Sequence, residues 1–371
     1  MPQAMWQTMG RRLRPEKRTH PDSRNNVNPQ RALRSFAGLS DPVATLITTG
    51  LIHATFDVRD AGGDRFILQR MSPVFSPRVI DNIQNVTQHL RARGVTTFEL
   101  AISDGKPYAD LGEDGLWRLM TCLPGISFDI PKNADQLNAA GNLVATFHRA
   151  LLDYDAPLHS IGFPFHDTQQ HIKDLQLALR ECEGHPCYPA VKLLSEGLLA
   201  EADLLPSLSS APDRVIHGDL KLNNLLFEPA GDETSPSPVA LIDLDTLARM
   251  PLAYDWGDAL RSWCNRLPED APEAELDITF AEAAVDGLMS TFDATPDAAE
   301  LNSLTFGLEV VSLELSIRFA TDALRETHWA WDPKRFERAG EHNMSRARGQ
   351  FDLYRQAKAS HGERARHMGS G

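Results

Sequence analysis

An apolar pair, Val215-Ile216, leads into His217-Gly218-Asp219-Leu220-Lys221-Leu222-Asn223-Asn224, and a second apolar run, Leu225-Leu226-Phe227, follows. Asp219 offers a carboxylate that can accept a proton, and Asn224 an amide oxygen of the kind a hard cation takes. Further on, Val239-Ala240-Leu241-Ile242 reads as a buried strand ending in Asp243, nineteen residues after Asn224, and, two residues on, Asp245. A base, an amide oxygen and a strand-end carboxylate are what phosphoryl transfer from a metal-bound triphosphate requires. The spacing is that of the loop H-R-D-x-x-x-x-N, with Gly218 in place of Arg. Asp219 is therefore the candidate catalytic base, and Asn224 and Asp243 the candidate magnesium ligands. Asp245 is either a further metal ligand or a helix cap. Lys221 is a second catalytic candidate, a cation for the charge spread over a γ-phosphate; the competing reading is a surface lysine. Asn223 reads as a turn-former and His217 as structural.

The surrounding elements predict an α+β, bilobal, protein-kinase-like fold: a small β-rich lobe over 41–123 and a larger, mainly helical lobe over 124–360. Thr55-Phe56-Asp57-Val58 and Phe66-Ile67-Leu68-Gln69 flank the glycine turn Asp60-Ala61-Gly62-Gly63-Asp64. Val79, Ile83, Val86 and Leu90 mark an amphipathic helix over 77–93. Residues 98–102 and 117–123 read as further strands, Pro124-Gly125 breaks the chain, and helical periodicity takes over from Asp135. The Pro- and Ser-rich 228–238 is a loop between strands. Residues 1–40 read as a flexible extension, with eight Lys or Arg against two acids up to Arg34, and 361–371 as a disordered tail.

Nucleotide contacts are fainter. Gly50-Leu51-Ile52-His53-Ala54-Thr55 stands where a phosphate-covering loop belongs but holds one glycine, so Gly50, His53 and Thr55 are candidates on position alone. No lysine ends the third strand. Gln69 and Arg70 stand there, and Arg70 is the candidate phosphate-binding charge unless strand alternation turns Gln69 inward and Arg70 out. Backbone groups over 120–123, marked by Met120 and Cys122, would meet adenine.

Composition bounds the partners. A net charge of −14 over 371 residues excludes a nucleic-acid binder, which needs a basic surface. No apolar run is long enough to span a membrane. Four cysteines point to a reducing, cytoplasmic setting. Cys182-x-x-His185-x-Cys187 lacks the second pair of a zinc site and reads as ordinary thiols. The sequence says nothing of oligomeric state.

These motifs resemble the aminoglycoside phosphotransferase and choline kinase superfamily, and within it the bacterial N-acetylhexosamine 1-kinases. The resemblance runs from about residue 50 to 353. It is carried by Ile67-Leu68-Gln69-Arg70, the 217–224 loop, Ile242-Asp243-Leu244-Asp245-Thr246, Tyr254-Asp255-Trp256-Gly257-Asp258 with Arg261, Arg318-Phe319-Ala320-Thr321-Asp322, and Glu341-His342-Asn343 with Arg346 and Arg348. It implies an ATP- and Mg2+-dependent kinase of a small molecule, a sugar or amino sugar, with Arg318 and Asp219 as its substrate residues, Arg318 facing the pocket. Where that group has an Asn, this chain has His53.

Weighed residue by residue, Asp255 is a brace for the catalytic loop, Arg261 a partner for Asp258, and Arg318 either a substrate contact or a partner for Asp322. Trp329 and Trp331 read as packing residues. Phosphorylation of the anomeric hydroxyl of an N-acetylhexosamine is the leading reading. The alternative is a kinase of an amino alcohol, aminoglycoside or unacetylated amino sugar, which needs several acids in its pocket. The run Glu269, Asp270, Glu273, Glu275, Asp277 is the obvious acidic patch, and it reads as an exposed helix approach. A non-catalytic binding protein is a third reading, disfavoured because Asp219, Asn224 and Asp243 stand together.

Overall fold

Alternation of side chains builds the first lobe. β1 (Val43–Ile47), β2 (Ala54–Arg59), β3 (Arg65–Arg70), β4 (Ala109–Asp110) and β5 (Leu116–Thr121) form an antiparallel sheet in the order β1-β2-β3-β5-β4. The computed structural model describes residues 27–48, 52–163, 165–228, 237–292 and 296–369. From one sheet face Phe56, Val58, Leu68, Trp117 and Leu119 bury against Ala32 and Leu33 of the short helix α1 (Gln30–Leu33) and against Phe36. The folded chain thus begins well before residue 41, because this sheet face needs a cover. The first 26 residues of the expected extension lie outside the described residues.

The opposite face carries Ile67 and Met120 against α2 (Val79–Ala92), whose Val79, Ile80, Ile83, Val86 and Leu90 are buried. Thr55, Gln69 and Arg118 stand in register on this inner face. The strand expected over 98–102 is reduced to a bridge, Leu100 to Met120. The free edge of β5 is shared between that segment and β4, so neither builds a long ladder.

In the second lobe, two antiparallel strand pairs bring the candidate residues to one place. β6 (Asp213–Ile216) pairs with β9 (Ala248–Pro251), and β7 (Leu225–Phe227) with β8 (Pro238–Leu241). Helices surround them: α3 (Ala134–Ala150), α4 (Thr168–Glu181), α5 (Tyr188–Ala202), α6 (Ala253–Trp263), α7 (Ile278–Thr291), α8 (Ala298–Arg325) and α9 (Ala339–Ala359). Asn133, Asp167, Asp277 and Asp297 cap α3, α4, α7 and α8, each accepting from the amide three residues on. α6 crosses α8 where Gly257 meets Gly307. A Cβ on Gly257 would lie 2.1 Å from the Gly307 carbonyl oxygen, so the helix bearing Asp255 is seated by backbone contact.

The final segment corrects the expected tail. His361–His367 forms a helix, α10, pinned by buried Arg364, whose NH2 donates to Glu309 Oε1 (2.5 Å). Residues 370 and 371 lie outside the described residues. The lobes meet at several points. The linker pairs with β7 through reciprocal 2.9 Å bonds between Ile126 and Phe227, and Asn82 of α2 exchanges two 2.8 Å bonds with the backbone of His159. Among the described residues no helix is long and apolar enough to cross a membrane. All four cysteines are free. Among the described residues the only group whose donors approach closely enough for a metal is His53, Asp243 and Asp245, not the 182–187 segment.

Candidate active site

The 217–224 loop is held from behind by a buried carboxylate. Asp255, in the first turn of α6, accepts from the amides of His217 (Oδ2, 2.7 Å) and Gly218 (Oδ1, 2.6 Å), and His148 Nε2 lies 3.1 Å from Oδ2. The brace expected of Asp255 is present, but the amides it serves belong to the loop and not to its own helix. Burial opposes its charge; His148, His217 and the loop amide outweigh burial and hold the carboxyl below its ordinary range. Gly218 has φ +86°, and a Cβ there would lie 2.6 Å from the Thr246 carbonyl oxygen. No arginine fits, which explains the departure from the H-R-D pattern. His217 accepts the Asp219 amide at Nδ1 (3.2 Å). Its Nε2 then carries the proton toward Ile242 O (2.9 Å), tying the loop to the end of β8.

Asp219, Lys221, Asn224 and Asp243 converge at this junction. Lys221 Nζ lies 3.0 Å from Asp219 Oδ1. Asn224 Nδ2 donates to the Asp219 carbonyl (2.8 Å) and to its Oδ2 (3.2 Å), and Asn224 O receives the Ile242 amide (2.9 Å). With the amide nitrogen spent on Asp219, Oδ1 is the atom of Asn224 that can ligate. The Asp219 carboxyl is disfavoured as an anion by burial, yet Lys221, His217 and Arg261 hold it below its ordinary range. Asp219 in turn raises the pKa of Lys221, which stays an ammonium. Asp243 sits at φ +64°, a left-handed conformation just past the end of β8. Burial first, then the charges of Asp245 and Asp219, push its carboxyl up to about 8. Asn223 reaches Asp129 of the linker (3.1 Å).

The first lobe contributes a polar row that the sequence did not announce. Arg118 donates through Nε and NH2 to Gln69 Oε1 (2.8 and 2.6 Å), and NH1 and NH2 fork onto Asp245 Oδ1 and Oδ2 (2.7 and 2.6 Å). Gln69 Nε2 donates to Thr55 Oγ1 (3.2 Å). His53 accepts the Ser72 amide at Nδ1 (3.0 Å) and turns Nε2 to Asp245 Oδ2 (3.2 Å). Arg118 and Asp245 are each 2% exposed. Burial raises the Asp245 carboxyl, but Arg118 and His53 overcome this and hold it well below its ordinary range. Both Asp245 oxygens are thus engaged across the lobe boundary, so it is not a helix cap, while a carboxylate oxygen still stands within reach of His53 and Asp243 for a shared metal. His53 joins the lobes by the same contact.

Register decides the fate of Arg70. It pairs with Trp117 on the outer face, and its Nε donates to Asp114 O (2.8 Å), so it points away from the cleft and is not a phosphate ligand there. Met120 is buried opposite Ile67 in β5. The Cys122 amide is spent on Arg65 O (3.0 Å) and cannot donate to a base. Thr55 is partly buried in the polar row. Gly50 lies outside the described residues.

On the acceptor side, Asp322 does not pair with Arg318. It accepts the amides of Thr327, His328 and Trp329 (2.8–3.0 Å) and Asn343 Nδ2 (2.9 Å), closing the turn after α8. The Arg318 guanidinium lies 5.4 Å from the Trp329 ring centroid and has no hydrogen bond or ion pair among the described residues. Burial lowers its pKa, and the charges of Glu314, Asp258 and Asp219 act on it from nearby. Those acids are otherwise occupied. Glu314 holds His166 (2.8 Å) and Thr168 (2.7 Å), and Asp258 Oδ1 holds Arg261 (2.7 Å). Asp258 Oδ2 is buried without a hydrogen-bond partner. Glu269 is also drawn in, on Arg261 NH1 (2.7 Å), so one member of the supposed exposed acidic run braces the site. Arg346 donates to Ala330 O and Asn343 Oδ1 (both 3.0 Å), a bracing role. Trp329 packs on Phe319 (4.5 Å between centroids).

The sequence profile of the phosphotransferase enzyme family matches residues 43–288. The fold is shared with an aminoglycoside phosphotransferase from Alicyclobacillus acidocaldarius (16% identity, TM-score 0.59, over 91% of this chain and 97% of that one). It is shared equally with a microcompartment-associated aminopropanol kinase (18%, TM-score 0.59, 90% and 97%). An amicoumacin kinase solved with AMP-PNP and Ca2+ is a third relative in fold (13%, TM-score 0.58, 91% and 96%).

Proposed function

The chain belongs to the phosphotransferase enzyme family of the aminoglycoside phosphotransferase and choline kinase type, and we propose that it transfers the γ-phosphoryl group of ATP to a sugar hydroxyl, the anomeric hydroxyl of an N-acetylhexosamine or related hexose. Asp219 accepts the hydroxyl proton while the oxygen attacks the γ-phosphorus and the bond to the β-phosphate oxygen breaks, releasing ADP. Lys221, held charged beside Asp219, faces the charge that spreads over the transferring group. Asp243 and Asn224 Oδ1 are hard oxygen donors and fit Mg2+. Bound there, the ion would neutralise phosphate charge.

The observation that carries the sugar reading is the Arg318 guanidinium, which has no hydrogen bond or ion pair among the described residues and lies within electrostatic reach of Asp219. A cationic acceptor would meet a free cation among acids that already have partners. A neutral polyol both donates and accepts, which suits a free donor fork and the free Asp258 Oδ2. Turnover is expected on N-acetylhexosamines in a panel of sugars, amino alcohols and aminoglycosides. Arg318→Gln should raise the sugar KM roughly 10–100-fold, the worth of a lost charged hydrogen bond, with the ATP KM unchanged. Turnover of choline or an aminoglycoside alone would refute the sugar assignment.

The raised carboxyl of Asp243 sets a pH dependence. Below about 8 it holds a proton that a cation must displace. Affinity for Mg2+ should therefore climb as pH rises from 6 to 8, by at most about tenfold per unit, and level off above. Calorimetry in buffers of different ionisation enthalpy checks this as proton release, and release equal at pH 6.5 and 9 would contradict it.

A further inference from the structure

We propose that Arg118 is the positioning residue that takes over, in this chain, the task of the absent strand lysine, and that it does so by gripping the second lobe directly. In a protein kinase the third-strand lysine pairs with a glutamate on the following helix. Here neither partner is possible: β3 ends in Gln69-Arg70, Arg70 points outward, and the only acid of α2 is Asp81, in its first turn. Antiparallel register sets Arg118 beside Gln69 on the inner face. Gln69 Oε1 holds two of its donors, and the rest of the fork reaches both oxygens of Asp245. The carboxylate completing this pair stands two residues beyond Asp243, in the turn whose left-handed residue is Asp243 itself. The grip therefore fixes the inner sheet face and the metal-facing turn as one unit. His53, on the same carboxylate, adds a second first-lobe contact.

This inference rests on the reading that Asp243 binds the cation. Arg118→Met keeps an unbranched apolar stem but removes the guanidinium fork from Asp245, so the turn loses its forked anchor. The expected result is at least a tenfold weaker Mn2+ affinity in the presence of AMP-PNP and a matching rise in the KM for metal–ATP. The acceptor KM should stay within twofold. Arg118→Lys keeps the charge but cannot make the fork, and should also bind Mn2+ more weakly. It carries the test if the Met variant fails to fold. A variant that melts earlier yet binds Mn2+ normally overturns the proposal and leaves Arg118 a packing residue. Asp243→Asn separates the two readings. If it abolishes Mn2+ binding while Arg118→Met does not, only the positioning role falls; if it binds Mn2+ normally, the metal reading falls and takes this one with it.

Discussion

Asp219→Asn is expected to bind ATP as the parent does, within about twofold, and to transfer phosphate about 10^2–10^4-fold more slowly, the usual worth of a positioned general base. The substitution is nearly isosteric. The strongest contact of Asn224 in this loop is to the Asp219 carbonyl (2.8 Å), which the change leaves in place. The loop amides stay on Asp255 and His217, so the geometry survives while the proton acceptor is gone. Lys221 loses its nearest anion, which makes the site more cationic and if anything favours the triphosphate. Single-turnover transfer measured beside nucleotide titration separates the two effects. Undiminished transfer would remove Asp219 from the chemistry.

The second large effect is on stability. Asp255→Ala leaves the amides of His217 and Gly218 without their acceptor, and His148 without its anion, in a fully buried place. Removing one partner of such a buried charge costs about 3–5 kcal/mol, a large fraction of a typical domain's net stability. Turnover should fall as well, because the loop that carries Asp219 loses its backing. The sign with pH follows from the lowered carboxyl. The native state favours the anion, so the stabilisation is fully present above the ordinary value of 3.8 and is lost as pH falls through the lower native value. The gap between parent and variant in denaturant midpoint should be full at pH 7 and narrow only below about 4. An equal midpoint at pH 7 would show that the brace contributes nothing.

Much of the site was legible because its chemistry is local in sequence. Asp219, Lys221 and Asn224 fall within one loop, and a loop between two apolar runs can be read without knowing what it packs against. The same is true of the strand delivering Asp243, of the helix over 79–92, and of the two-lobed division. Arg118 gave no such signal. It sits in an apolar strand as one charge among many, and its meaning depends on a partner 127 residues away. The contact between Asp245 and His53, separated by 192 residues, gave no signal for the same reason. Their types suggested a metal ligand and a phosphate-loop contact, and burial opposite an arginine makes both of them links between the lobes as well.

By itself, the sequence determined which groups can move a proton and hold a hard cation, since side-chain chemistry and short-range spacing are properties of the chain alone. Only the tertiary structure decided which sheet face each strand residue occupies. Alternation offers two choices, and the cover of α1 on one face and α2 on the other selects between them, sending Arg70 outward and Gln69 with Arg118 inward. It also decided which charges remain unpaired. Asp322 was free to take Arg318 by spacing, but the turn over 327–329 claims it first, because buried amides must find an acceptor.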